Sequence, residues 1–174
     1  ARYIEDKTDG QKIENIPQPE SLADHWVLLM LQRSSEVIGS HLDNFRFSEA
    51  YDELYHFVWD DVADWYIEAS KSTLNPSVLK FVLEGVLKLA HPFAPFVTEA
   101  IWQTLHADDD TMLITQEWPE KIEADSKKAD DFEQLKNIVS EIRFIQHAMG
   151  ISQTSLTHKS DGLISENSEL IQKL

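Results

Sequence analysis

Hydrophobic residues recur at helical spacing through the first part of the chain. Steps of three and four residues predict a helix over 22–42, with the inward positions Val27, Leu31, Ser34, Ile38 and Leu42. Ser21 precedes this helix and Asp24 follows three residues later, which is typical of a capped helix start. The same spacing predicts a second helix over 47–69, with the inward positions Phe47, Tyr51, Leu54, Val58, Val62, Trp65 and Ala69.

The later part of the chain is punctuated by proline and glycine. Asn75-Pro76 indicates a helix start, and the two prolines in His91–Pro95 indicate a break. Gly150 indicates the end of a long amphipathic helix. We therefore predict helices at about 76–90, 96–105, 129–149 and 165–174, and a short strand at 154–158.

These elements predict a mainly α fold, a helical bundle with a small C-terminal α/β appendage, because the helices are long and most of their connections are short. We divide the chain into an N-terminal segment (1–20), a bundle (21–120) and a small C-terminal subdomain (121–174). The 174 residues and 42% hydrophobic content suffice for such a core.

Charge and cysteine content exclude several classes of function. The net charge is −16, and 43–70 and 107–133 each contribute −7, which excludes a uniformly attractive surface for RNA or anionic membranes. The absence of cysteine excludes disulfides, thiol catalysis and cysteine-bound zinc. The hydrophobic runs are too short to span a membrane, so we expect a soluble, cytoplasmic protein.

Few residues indicate chemistry on their own. Glu53 and His56 have the spacing of a metal ligand pair, but a single copy does not supply a site, and no metal ligand or catalytic residue is predicted. Trp59, Trp65 and Tyr66 are interpreted as core residues. Trp26, at the start of the first helix, is either a core residue or a platform on which an unpaired base stacks.

Several segments together resemble a known family. The run from Asn44 to Glu68, NFRFSEAYDELYHFVWDDVADWYIE, is similar to the anticodon-binding helical domain of class I valyl-type aminoacyl-tRNA synthetases. Further segments agree in order and spacing: ARYI at 1–4, LADHW at 22–26, LAHPFAPFVTEAIW at 89–102, EWPE at 117–120, and the stretches 138–150 and 166–171.

The resemblance implies a helical bundle that holds the anticodon loop of tRNA(Val). The parent enzyme would join valine to that tRNA with ATP and magnesium. The ATP-site motifs HIGH and KMSKS do not occur in this sequence, nor does an editing domain. We therefore expect a noncatalytic fragment that needs no cofactor of its own, is monomeric, and works with the catalytic domain and C-terminal arm of the parent chain.

The resemblance also implies site residues. His25 and Trp26 occupy the position of an arginine–aromatic pair that faces the anticodon, so Trp26 would stack a base. Histidine lacks the permanent charge of arginine, so a phosphate or base contact by His25 would depend on pH. Lys80, Phe81 and Glu84 are further candidates on the third helix. Arg2 and Lys12 are candidate phosphate contacts.

Other interpretations remain open from the sequence. The bundle is shared with isoleucyl- and leucyl-type synthetases, although the run Val58–Glu68 is closer to the valyl type. A helical protein-interaction module with an acidic face would also fit the charge. A bundle metalloenzyme is the weakest of these alternatives.

Overall fold

The computed structural model describes residues 17–107, 111–119, 122–151 and 162–174. The helices are α1 (Leu22–Asp43), α2 (Phe47–His56), a π-helical stretch (Phe57–Tyr66), α3 (Ile67–Ser70), α4 (Pro76–Ala90), α5 (Pro95–Leu105), a 3₁₀ turn (Leu113–Thr115), α6 (Ser126–Met149), α7 (Gly162–Glu166) and α8 (Ser168–Lys173). No strand occurs in these ranges, and the strand predicted at 154–158 lies outside them. The mainly α bundle is confirmed.

Helix α1 is the central element of the bundle. Its start is a capping box, because Ser21 Oγ accepts the Asp24 N–H at 3.1 Å while Asp24 Oδ2 accepts the Ser21 N–H at 3.0 Å. The predicted inward stripe is correct, with Val27, Leu31 and Ile38 fully buried. The helix packs against α2, the π-helical stretch, α4 and α6.

Residues 47–70 form one continuous helix whose middle is π-helical. The predicted inward stripe is wrong in its first half, since Phe47 and Tyr51 are 57% and 52% exposed. Leu54, Val62 and Ala69 face the core as predicted, and the other core-facing residues are Ala50, Phe57 and Tyr66. Phe57 and Val62 are five residues apart, which matches the wider turn of a π-helix.

Helices α4 and α5 follow each other in the chain and pack together. Asn75 caps α4 by accepting the Val78 N–H at 3.2 Å, and Pro76 occupies the first turn. Gly85 lets α4 approach α1 closely, because a Cβ at this position would lie 2.8 Å from the Leu31 methyl groups. Pro95 opens α5, as expected for a proline in a first turn.

Helix α6 lies along α1 through its first half. Ala129 and Phe132 belong to the same hydrophobic cluster as α1, whereas Phe144 and Met149 in the second half are exposed. Gly150 ends the helix with a φ of 65°, a left-handed conformation that favours glycine. The division into a bundle and a C-terminal subdomain stays a prediction.

A membrane-spanning helix must be both long and apolar. Among the described residues, no helix is both long and apolar enough to cross a bilayer.

Candidate nucleic-acid interface

His25 connects the first turn of α1 to the start of α6. Its side chain is buried, and Nδ1 accepts the backbone N–H of Asp125 at 3.0 Å. An accepting Nδ1 places the proton of the neutral ring on Nε2, which has no hydrogen-bond partner among the residues that the structure describes. Burial, assisted by the positive charge of Lys128, lowers the pKa of His25. A buried neutral ring does not offer the positive charge expected of a phosphate contact.

Trp26 is covered by α6. The residue is 1% exposed, and its ring packs against Phe132 with the ring centroids 5.1 Å apart. Its Nε1 donates to Glu133 Oε2 at 2.7 Å, and Lys136 Nζ lies 4.0 Å from the ring centroid. The expectation that Trp26 stacks a base is therefore not supported, because no ring face is open as the chain is folded. Sequence spacing placed Trp26 on α1 but did not show that α6 covers it.

Lys136 joins three elements beside Trp26. Its Nζ lies 3.5 Å from Asp61 Oδ1 in the π-helical stretch and 3.4 Å from Glu133 Oε2 in α6. Burial raises the pKa of Asp61, and the positive charge of Lys136 opposes that shift. Lys136 also lies 5.5 Å from the ring centroid of Trp65. This junction connects α6 to α1 and to the π-helical stretch.

The three candidates on α4 differ in exposure. Lys80 is only 6% exposed, so the structure does not support its expected contact with the anticodon. Phe81 is partly buried against the core, and Glu84 Oε1 lies 3.1 Å from His106 Nε2. Burial raises the pKa of Glu84, while the positive charges of His106 and Lys80 oppose the shift. Phe81 is therefore the candidate whose ring is partly open at the surface.

The remaining candidates, Arg2 and Lys12, lie outside the described residues. Their contacts with phosphate stay predictions.

A row of exposed aromatic residues was not predicted from the sequence. This aromatic ribbon consists of Phe45, Phe47, Tyr51, Tyr55 and Trp59. Trp59 was interpreted as a core residue but is 58% exposed, whereas Tyr66 is fully buried as predicted. The signal was ambiguous, since the ribbon and the neighbouring buried row of Ala50, Leu54 and Phe57 both have helical spacing. Only packing distinguishes them.

Glu53 and His56, whose spacing alone resembles that of a metal ligand pair, bind different partners in the structure. His56 Nδ1 pairs with Asp60 Oδ2 at 2.7 Å, and Glu53 accepts the Ser34 hydroxyl at 2.8 Å. Within the described part of the chain, no three histidine or carboxylate side chains are grouped as metal ligands.

Comparison with known proteins identifies the bundle. The family model of the anticodon-binding domain of tRNA ligase matches residues 24–160, from the first turn of α1 to beyond the end of α6. The chain belongs to this family. The anticodon-binding domain thus extends across both the bundle and the helix that covers Trp26.

Similar proteins include valine–tRNA ligases from several bacteria. One from Fervidobacterium nodosum is 35% identical over 177 residues, which is 95% of this chain and 20% of the relative. One from Bacillus cereus is 31% identical over 98% of the chain, and one from Staphylococcus aureus is 38% identical over 71% of it. The matched part of the chain spans only 20%, 20% and 15% of the length of these three relatives.

Proposed function

We propose that this domain holds the anticodon loop of tRNA(Val) and so selects the tRNA for a valine–tRNA ligase. The observation that carries the proposal is the family match over 24–160. The names of the relatives support valine as the amino acid. Ligation itself, with ATP and magnesium, would belong to a catalytic domain, because the 174 residues contain neither ATP-site motif. We propose that the protein is cytoplasmic and that this domain is monomeric.

Charge supports α4 as the side that meets the RNA. The stretch 71–106, which includes α4, has three lysines and two glutamates, whereas 43–70 and 107–133 each have a net charge of −7. Phosphates are repelled least by the first of these stretches. Unpaired bases of a loop can then stack on a surface aromatic ring. Phe81 is the aromatic candidate on α4 that is not fully buried.

His25 and Trp26 would act as positioning residues in this proposal. Their hydrogen bonds to Asp125 and Glu133 attach the first half of α6 to α1. A fixed α6 keeps the bundle rigid, and a preorganised surface loses less conformational entropy when it binds a loop. Neither side chain needs to touch RNA for its loss to weaken binding.

The proposal can be tested by fluorescence anisotropy. A labelled anticodon stem-loop of a valine tRNA is titrated with the chain at low and at moderate salt, and an isoleucine stem-loop serves as the control. We expect saturable binding that favours the valine stem-loop. Because base readout and phosphate attraction are separable, the preference should persist when added salt weakens both complexes.

A variant pair tests the surface. Phe81→Leu removes the ring but keeps much of its apolar bulk, and we expect it to weaken binding by about 1–3 kcal/mol if a base stacks there. Phe144→Leu is the matched control, since Phe144 is an exposed aromatic residue on α6. Equal affinities for the two variants, with intact circular dichroism, would remove Phe81 from the interface. Equal affinity for the two stem-loops would refute recognition of the valine anticodon.

A further inference from the structure

The aromatic ribbon is a row of five exposed rings. Its five rings are 48–80% exposed, and they follow one line from the turn after α1 to the start of the π-helical stretch. Ring contacts join Phe45 to Phe47 at 6.2 Å and Tyr55 to Trp59 at 6.4 Å between centroids. Tyr51 contacts Phe93 at 5.8 Å. Isolated exposed apolar residues are ordinary, whereas a contiguous group of this kind marks an interaction surface.

Carboxylates flank this ribbon. The helix row displaced by one residue carries Asp52, His56 and Asp60, all exposed, and Glu49 lies two residues after Phe47. The segment 43–70 contains eight acidic residues and one basic residue, Arg46, which pairs with Glu49 at 3.0 Å. The surface therefore combines π faces with a strongly negative field.

We propose that the aromatic ribbon docks a protein segment that carries arginine side chains alternating with apolar ones. The negative face of an aromatic ring attracts a cation, and a planar guanidinium group also stacks on it. The flanking carboxylates can accept two parallel hydrogen bonds from the same guanidinium group. The apolar residues of the segment would cover the exposed rings. Charge and shape thus select the same kind of partner.

Charge complementarity favours this partner over two others. RNA bases could stack on the rings, but each phosphate would approach a stretch with a net charge of −7. A second copy of the chain would place two such negative stretches against each other. The ribbon is thus separate from the surface proposed for the anticodon loop, and either proposal can fail without the other.

The dimensions of the ribbon define the probe. The 12 steps from Phe47 to Trp59 cover about 18 Å along a helix, and an extended peptide of about six residues has the same length. The experiment titrates fluorescent peptides of about ten residues with the 174-residue chain at low salt. The peptides alternate leucine with arginine, with lysine or with glutamate. We expect saturable binding in the order arginine, lysine, glutamate, weakened by salt.

Variants identify the surface. Tyr55→Ala and Trp59→Ala should each weaken binding of the arginine peptide about two- to fivefold, as expected for the loss of an exposed cation–π contact. Asp52→Asn with Asp60→Asn should reduce the salt dependence. Phe144→Ala and Asp130→Asn are the matched controls, because both residues are exposed on α6. Circular dichroism checks that each variant is folded.

Four results would overturn the proposal. These are no binding of the arginine peptide at low salt, equal binding of the glutamate peptide, equal losses in the ribbon and control variants, and tighter binding of a single-stranded RNA of similar length. A concentration-dependent dimer in sedimentation experiments that Trp59→Ala abolishes would assign the ribbon to a second copy instead.

Discussion

At the scale of single residues, the buried carboxylate of Asp24 connects the start of α1 to Tyr66 and Asn75. Its Oδ1 accepts the Tyr66 hydroxyl at 2.9 Å, and its Oδ2 accepts the backbone N–H groups of Glu20 and Ser21, each at 3.0 Å. Asn75 Nδ2, from the cap of α4, lies 3.4 Å from the same oxygen. Burial, with the negative charge of Asp24, raises the pKa of Tyr66, which keeps its hydroxyl a donor. The sequence predicted the capping role of Asp24 but not the contacts to Tyr66 and Asn75.

Asp24→Asn should destabilise the domain by about 2–4 kcal/mol. The reason is that the amide NH₂ group would face N–H or O–H groups whose hydrogen bonds the carboxylate accepts. Asp130→Asn, on the exposed side of α6, should change the free energy of unfolding by less than about 0.5 kcal/mol. Urea denaturation of both variants measures the difference. Similar midpoints for the two variants would show that the Asp24 network contributes little to stability.

His25 should make the stability of the domain depend on pH. Its pKa is lowered in the folded state, so below the unfolded value of 6.5 the unfolded chain binds more protons. The contribution of His25 is therefore complete above that pH and declines as the pH falls through it. His25→Asn keeps an acceptor for the Asp125 N–H but does not titrate. Urea midpoints at pH 7.5 and 5.5 should fall further in the natural chain than in this variant; equal changes would contradict the prediction.

At the scale of one element, the π-helical stretch changes the spacing of the buried residues along its helix. Ala50, Leu54 and Phe57 are buried at ordinary helical spacing, whereas the next buried residue is Val62, five residues after Phe57. Trp59, four residues after the exposed Tyr55, continues the exposed row. The aromatic ribbon ends at Trp59, in the first turn of the π-helical stretch. Sequence periodicity located this helix but could not reveal a change of helix type within it.

Two truncations distinguish the faces of this helix. Phe57→Ala should lower the free energy of unfolding by about 3–5 kcal/mol, because it leaves a cavity at a residue that is 1% exposed. Trp59→Ala should change it by less than about 0.5 kcal/mol, since the ring is mainly in solvent. Chemical denaturation provides both values. The reverse order would show that Trp59, and not Phe57, faces the core.

At the scale of the whole molecule, the helices were more predictable from the sequence than the site. The helices predicted from hydrophobic spacing agree with α1, α4, α5 and α6 to within about three residues. The site was less predictable, because the burial of Trp26 and Lys80 depends on contacts between helices that are distant in sequence. Exposure of an aromatic residue likewise cannot be derived from helix spacing when two adjacent rows are apolar.

Added salt should stabilise the folded domain, since folding brings together groups that carry a net charge of −16. Raising sodium chloride from about 10 mM to about 100 mM shortens the Debye length from about 30 to about 10 Å and screens this repulsion. Thermal melts followed by circular dichroism should show a higher Tm at the higher salt concentration. An unchanged or lower Tm would indicate that ion pairs such as Lys136–Asp61 outweigh the repulsion.

The Asp24 network also has a consequence for the order of events during folding. Tyr66 and Asn75 are 42 and 51 residues away from Asp24 in sequence, so these hydrogen bonds form only after large loops have closed. The helices themselves can form from local contacts. We therefore expect Asp24→Asn to accelerate unfolding and to leave the folding rate almost unchanged in stopped-flow measurements. In that case the interactions of the carboxylate would form after the folding transition state, and they would control the lifetime of the folded domain more than its folding rate.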